Sequence, residues 1–510
     1  MLSSKAILLA LALLTLSVAA YDPHLGCAHN IVQDEEALLD VQEEFLPEKS
    51  RLLATSVSYP NIRMAVDYSN MVEGTDEFKS YVQDELLPAV MDYYQASIAV
   101  KQPLATALRV STTTQTICGY TTPKSLFTGV STDFFVIASS TSDDTSNWVA
   151  SAGACLLSSA TKRPLVAQML FNLYYTKPAN GDALIHEKNM YLVLHEMLHA
   201  LGFTGSSFKN FIDASGQTLT GHLKSAVLNG STRQVLDVEP LTSKLRAHYG
   251  CSTLPGAFLE NDGGSGTAGS HFERRHFLYE AMTSGVIQGL RISEFSFAVL
   301  EGSGWYMPNY TYADEFTVGK GQGCGFIYDA CNSATFLKYD EFCSSSGSRG
   351  CGQVGVSGGV CQSDSRSDGC QYYIPVINYH CESADAIDNA RLPTKEVYGR
   401  TTGSKCFNGN LTTLTKSSQT SFCFKYKCVG SGSTTTLQVY LGSGYVTCKS
   451  QSSLKISGYN GQLECPDPLA FCSTVGKLTC PRNCMGRGKC VNNQCVCNTG
   501  YAGIDCAMNA

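Results

Sequence analysis

The sequence predicts an α+β fold in which an N-terminal α/β subdomain leads into a disulfide-rich, mostly β region. Three observations predict it. Between positions 62 and 203 the apolar residues switch between the two-residue period of strands and the helical period. Nineteen of the 23 cysteines lie from Cys324 onward, in a stretch rich in Gly and Ser. At 510 residues the chain has room for about two to four domains with cores of their own.

Taken in order, residues 1–20 hold Lys5, an apolar run over 6–16 and the small residues Ser17, Ala19 and Ala20, which predicts a signal peptide and a secreted product. Residues 21–55 are acidic, lack a regular apolar period and contain Cys27, which reads as a removable pro-segment. From Ile62 the alternation predicts a strand. Residues 75–100 place Phe78, Tyr81, Val82, Leu86, Leu87, Val90, Met91 and Tyr94 at helical spacing. Strands follow at 133–139 and 164–173, with Cys118 and Cys155 as a candidate staple. From Cys324 to Cys472, short alternating runs such as 435–441 predict a β-rich domain held by bridges worth about 2–4 kcal/mol each.

The net charge of -7 and the lack of a long basic run exclude nucleic acid as a partner. No stretch after residue 20 approaches the ~20 apolar residues of a membrane span, and the C-terminus lacks the apolar tail of a lipid-anchor signal. Asn229, Asn309 and Asn410 open Asn-x-Ser/Thr sequons, which makes them candidate glycan sites.

Residues 191–203 carry the pattern His-Glu-x-x-His at 195–199 inside an otherwise apolar helix. Four residues apart, His195 and His199 project from one helix face, as two nitrogen ligands of a tetrahedral zinc require. Glu196 lies almost on that face, within reach of a water whose proton it can take. Gly202 sits where the helix would end in a left-handed turn. A catalytic zinc takes a third protein ligand, yet position 205, where the compact extended motif has a histidine, is Gly. His222, His248, His271, His276 and His380 are the candidates. His271 is approached through a glycine-rich run over 263–269, and Met282 follows eleven residues later. By itself Met282 reads as core, and the distance from His271 makes it a candidate methionine turn. His186 and His380 read as surface or structural residues, and Arg274 and Arg275 as braces of the loop.

The helix His195-Glu-Met-Leu-His-Ala-Leu-Gly-Phe, the segments Gly269-Ser-His-Phe-Glu-Arg-Arg and Glu280-Ala-Met, and the runs at 300–310 and 319–324 together resemble the leishmanolysin family of metzincin zinc endopeptidases. The resemblance covers about residues 24–475. It implies a zinc subdomain (56–203), an inserted central subdomain (204–300) and a cysteine-rich C-terminal domain (301–475). It also implies His195, His199 and His271 as ligands of one Zn2+ per chain, Glu196 as catalytic base, Met282 as the turn methionine, and protein or peptide substrates cleaved internally. No tyrosine follows Met282 closely, which leaves the metal to stabilise the oxyanion. The alternative is a catalytically retired adhesion ectodomain. The complete set of ligands plus Glu196 counts against it.

The spacing of the six cysteines over 480–506 resembles an EGF-like module, whose usual pairing would be Cys480–Cys490, Cys484–Cys495 and Cys497–Cys506. Such modules are commonly spacers or adhesion elements, which points to cell-surface or matrix proteins as partners. With six cysteines in that module and Cys27 set aside, sixteen remain for the body, an even number. Cys27 lies in the expected pro-segment with His29 nearby to favour its thiolate, and a thiolate is a strong zinc ligand. The expectation is a latency thiol that holds the fourth position until the segment is removed.

Overall fold

The computed structural model describes residues 58–510 except 146–147, 265–266, 286–288, 332–338, 340, 353–354, 356, 382–403, 414–420, 442–443, 451, 457–458, 474–479, 492–493 and 504. The expected signal peptide, the pro-segment and Cys27 lie outside the described residues.

Strands β1 (Met64–Asn70), β2 (Phe134–Thr141), β3 (Ala150–Leu157) and β4 (Pro164–Asn172) form one sheet in the order β1-β2-β4-β3, parallel except for the antiparallel edge strand β3. β2 and β4 are buried at nearly every position because both faces are covered, as in parallel sheets. Phe134, Val136 and Ala138 of β2 join the main core, while Phe135 and Ile137 turn to a second cluster beneath the 104–130 loop. The Cys118–Cys155 bridge pins that loop to β3. Arg63 grips Asp133 with Nε and Nη2, each at 2.8 Å, and so fixes where β1 and β2 begin.

The helical run predicted at 75–100 is interrupted. Thr75 caps Asp76–Ser80 by accepting the Phe78 amide, a π-helical stretch follows at Tyr81–Leu86, and α1 (Leu87–Ser97) completes it. Helix α2 (Ala183–Ala200) begins earlier than the metal motif alone suggests and lies across β3 and β4 against α1. Every residue from Asn189 to Phe203 is buried.

The chain then leaves the sheet. Strands β5 (Leu223–Leu228) and β6 (Ser231–Leu236) form a hairpin turned by Asn229-Gly230, both at positive φ, a pair suited to a two-residue turn. Helix α3 (Glu294–Gly302) follows, with the Ser293 hydroxyl accepting the Phe295 amide as its cap. Beyond it lie a three-stranded sheet (Arg349–Cys351, Ser357–Ser363, Gln371–His380) and a four-stranded one (Ser404–Asn408, Ser421–Val429, Thr436–Tyr440, Tyr445–Cys448). The four-stranded sheet has a core of its own around Phe407, Phe424, Leu437 and Val439. The fold is therefore mixed α and β with a disulfide-rich β region toward the C-terminus, as the sequence predicts.

Among the described residues eleven disulfides pair 22 cysteines, eight in the body and three in the terminal module. The module's pairing matches the expected one. Its placement differs from that of a free spacer, because Met485 and Ala507 are buried in the main core beside α1 and α2. Asn229, Asn309 and Asn410 are all exposed.

Candidate metal centre

Helix α2 ends in a Schellman turn. The Gly202 amide donates to the His199 carbonyl (3.0 Å) and the Phe203 amide to the Leu198 carbonyl (2.9 Å). Gly202 is at φ +115°, and a Cβ there would meet Trp305 at 2.8 Å, so glycine is required twice over. This turn brings the Phe203 carbonyl back over the helix, where it accepts the Nδ1–H of His199 at 2.6 Å.

His195, one turn earlier, donates from Nδ1 to the Ala281 carbonyl at 2.5 Å. His271 arrives from the glycine-rich loop and donates from Nδ1 to the Thr267 carbonyl at 2.9 Å. That loop is tied down by its own backbone: the Gly269 amide donates to Glu260, and the Glu260 amide donates to His271. It is also tied to the end of α2, because the Ser270 hydroxyl accepts the Gly205 amide at 3.0 Å. A Cβ on residue 205 would stand 3.1 Å from the Gly269 carbonyl oxygen. The position where the compact motif has a histidine is thus occupied by backbone packing, and His271 enters instead.

The three Nε2 atoms face one another, 3.0 Å from His195 to His199, 3.2 Å from His199 to His271 and 3.3 Å from His271 to His195. Each carbonyl can only accept, so each Nδ1 carries the hydrogen and each Nε2 of a neutral ring presents a lone pair. Burial holds the His195 imidazole down to about 4, which keeps it neutral near pH 7. Three lone pairs at such separations repel unless a cation lies among them. Two nitrogens bound to one tetrahedral zinc would lie roughly 3.3 Å apart. The donor set fits zinc. Glu196 sits on the same helix between the two histidines and is fully buried.

Other residues weighed from the sequence fall elsewhere. His276 donates from Nε2 to the Ile327 carbonyl at 3.1 Å, and burial lowers its ring to about 3. His222 pairs with the Phe208 carbonyl and lines a cavity of about 1010 Å³ that none of the three clustered histidines lines. His248 pairs with the Val318 carbonyl, and His186 with the Tyr81 hydroxyl. His380 ends a strand in register with Ser357. Arg274 pairs with Asp364 at 2.6 Å and Arg275 donates to the Asp329 carbonyl, so both arginines brace the loop.

Met282 is buried, and its carbonyl accepts the Phe272 amide at 2.8 Å, next to His271. Just before it, Glu280 was not singled out by the sequence, yet its carboxylate organises this turn. It accepts the Met282 amide, the Ser293 amide (3.1 Å) and hydroxyl (2.8 Å), and the Ser296 hydroxyl (2.6 Å). Burial pushes it up to about 7 against these four hydrogen bonds. The one signal available was an acidic residue in a run destined for the interior. The three orienting carbonyls carry no sequence signal, since every residue has one.

Comparison with known proteins gives the chain a family. The leishmanolysin (peptidase M8) family model matches residues 72–374, and a tenascin EGF domain model matches residues 479–507. The mouse ciliated left-right organizer metallopeptidase is 32% identical over 343 residues, covering 62% of this chain and 47% of the relative. The Drosophila melanogaster leishmanolysin-like peptidase is 34% identical over 235 residues, covering 38% and 34%. Leishmania donovani leishmanolysin is 24% identical over 437 residues, covering 78% and 71%. The chain spans less than half the length of the first two relatives. With the family model matched across well over half of its residues and three histidines gathered from two distant segments, the chain belongs to the leishmanolysin family.

Proposed function

We propose that this protein is a secreted zinc metalloendopeptidase made as a latent precursor, with His195, His199 and His271 holding one Zn2+ and Glu196 as catalytic base. The observation that carries it is the convergence of three Nε2 lone pairs, each oriented by a backbone carbonyl at the opposite ring nitrogen. When bound, zinc supplies Lewis-acid polarisation of the scissile carbonyl and acidification of water. The Glu196 carboxylate takes the proton of the attacking water and returns it to the leaving amine. The buried helix keeps that carboxylate fixed relative to both histidines, so little reorganisation accompanies proton transfer. Met282 is assigned the methionine turn, through the backbone that also carries the Ala281 carbonyl.

Latency is supported by two features. The four residues of the centre are buried, with His195 at 1% exposure and Glu196, His199 and His271 at 0%. The 22 described cysteines are all bridged, which leaves Cys27 no cysteine in this chain to pair with. Export is supported by the disulfides and the EGF-like module. Among the described residues no helix is long and apolar enough to cross a membrane. In domain terms we assign 1–20 as signal peptide, 21–55 as pro-segment, 56–203 and 204–300 as the two walls of the centre, 301–475 as the cysteine-rich domain and 480–506 as the EGF-like module.

The test is metal content together with cleavage of an internally quenched peptide with blocked ends. Glu196→Ala should retain about one zinc per chain and lose activity by about a thousandfold, as expected for removal of a general base. Unchanged turnover in a zinc-loaded variant would sink the role of Glu196, and a chain without zinc would sink the centre.

A further inference from the structure

The EGF-like module does not hang from the body by its chain alone. Arg482, in its first loop, is only 2% exposed and reaches into the N-terminal subdomain. Its Nη1 donates to the Tyr191 hydroxyl at 2.6 Å, and the guanidinium lies 4.8 Å from the centre of the Tyr191 ring. Tyr191 is on α2, one helical turn before His195. The same Nη1 lies 3.8 Å from Asp314 of the body, Nη2 meets Asp505 of the module, and the Arg482 amide also donates to Asp314 at 3.2 Å. Two carboxylates, a phenol and a ring face thus compensate one buried cation, the arrangement that makes a buried charge tolerable.

Asp314 extends the contact to the opposite wall of the centre. It accepts the Ile292 amide at 3.2 Å, and the next residue, Ser293, donates twice to Glu280. Glu280 holds the Met282 amide, and the intervening Ala281 carbonyl orients His195. Arg482 is therefore connected to His195 along two routes, through the helix and through the turn facing it. The loop that presents Arg482 is unusual in its own right. Arg482, Asn483, Cys484 and Met485 are all left-handed, at φ 47°, 48°, 58° and 55°, a conformation that non-glycine residues hold only where their surroundings impose it. Arg487 makes separate contacts, to Asp92 at 2.9 Å on α1 and to the Ala507 carbonyl at 3.1 Å within the module, and none with Tyr191 or the Glu280 turn.

We infer that the EGF-like module is an internal brace of the metal centre, with Arg482 as the positioning residue through which it holds α2 and the Glu280 turn in register. The inference rests on the zinc reading given above, and the test separates the two. In the metal-free full chain, amide exchange across residues 190–200 is compared between wild type, Arg482→Met and Arg487→Met. In the zinc-loaded chain, metal release to a chelator is timed for the same three proteins, and the cobalt-substituted forms are compared by their visible spectra. Arg482→Met should exchange faster over the helix, release zinc about tenfold faster and shift the cobalt spectrum, an effect of the size seen when groups behind metal ligands are removed. Arg487→Met should match wild type. Equal behaviour of Arg482→Met and wild type, or equal effects in both variants, would overturn the inference. If Arg482→Met does not fold, Tyr191→Phe, which removes one hydroxyl, is read in the same way, and wild-type behaviour there overturns it. If the wild-type chain binds no zinc, the zinc reading falls, and exchange in the metal-free chain still decides the brace.

Discussion

Among the histidines, 271 and 276 lie five residues apart yet have opposite chemistry. His271 presents Nε2 to two other imidazoles, whereas His276 is spent on the Ile327 carbonyl inside an apolar site beside Phe258. His271→Ala should therefore lower zinc occupancy and activity, and His276→Ala should leave occupancy near one per chain, as metal analysis would show. The pH response of His276 has a definite sign. Its folded pKa lies below the unfolded value, at about 3 against 6.5, so its contribution is complete above pH 6.5 and is lost as pH falls. By pH 4.5 the loss reaches about 2–3 kcal/mol. His276→Phe should cost about 1 kcal/mol near neutral pH, where a buried hydrogen bond is removed. In acid it should equal or exceed wild type in urea midpoint. A gap independent of pH would show that the buried neutral ring is not responsible.

Helix ends and turns decide whether the ligands point correctly. Gly202 combines φ +115° with a 2.8 Å approach to Trp305, so Gly202→Ala should lose about 1–3 kcal/mol in denaturant unfolding. It should also weaken zinc binding, because the displaced Phe203 carbonyl orients His199. A variant with lowered stability and unchanged zinc affinity would separate the turn from the metal. Opposite that turn, Glu280→Gln places an amide nitrogen among four donors where a carboxylate had accepted all of them. About tenfold weaker zinc binding is expected, at the lower end for groups behind metal ligands. Chelator competition checks it. The interrupted helix before α1 is another element-scale result. The apolar spacing over 75–100 was legible, but the π stretch at Tyr81–Leu86 was not, because both helix types draw on the same side chains.

At the level of the whole chain, burial of the centre and the leftover cysteine lead to one expectation. The full-length precursor should be silent, and Cys27→Ser should give an uncleaved precursor with measurable peptidase activity. If both precursors are equally inactive and the variant gains activity only on cleavage, the segment blocks by bulk and the thiol is not the switch. The sequence alone determined the features that are local or arithmetical. The helix with His195, Glu196 and His199 follows from four-residue spacing and apolar flanks. Strand β1 follows from its alternation and strands β2 and β4 from their short apolar runs, the disulfide region follows from cysteine number, and the module's pairing is the one its resemblance to EGF-like modules implies. Local spacing left five distant histidines open, the family resemblance implied His271, and only the tertiary structure shows it meeting His199 across 72 residues. Tertiary structure alone supplied the Ala281, Phe203 and Thr267 carbonyls, which every residue possesses and only folding aims. It also buried Arg482 against Tyr191 across 291 residues, since a cation becomes part of a core only where folding brings its compensating groups together.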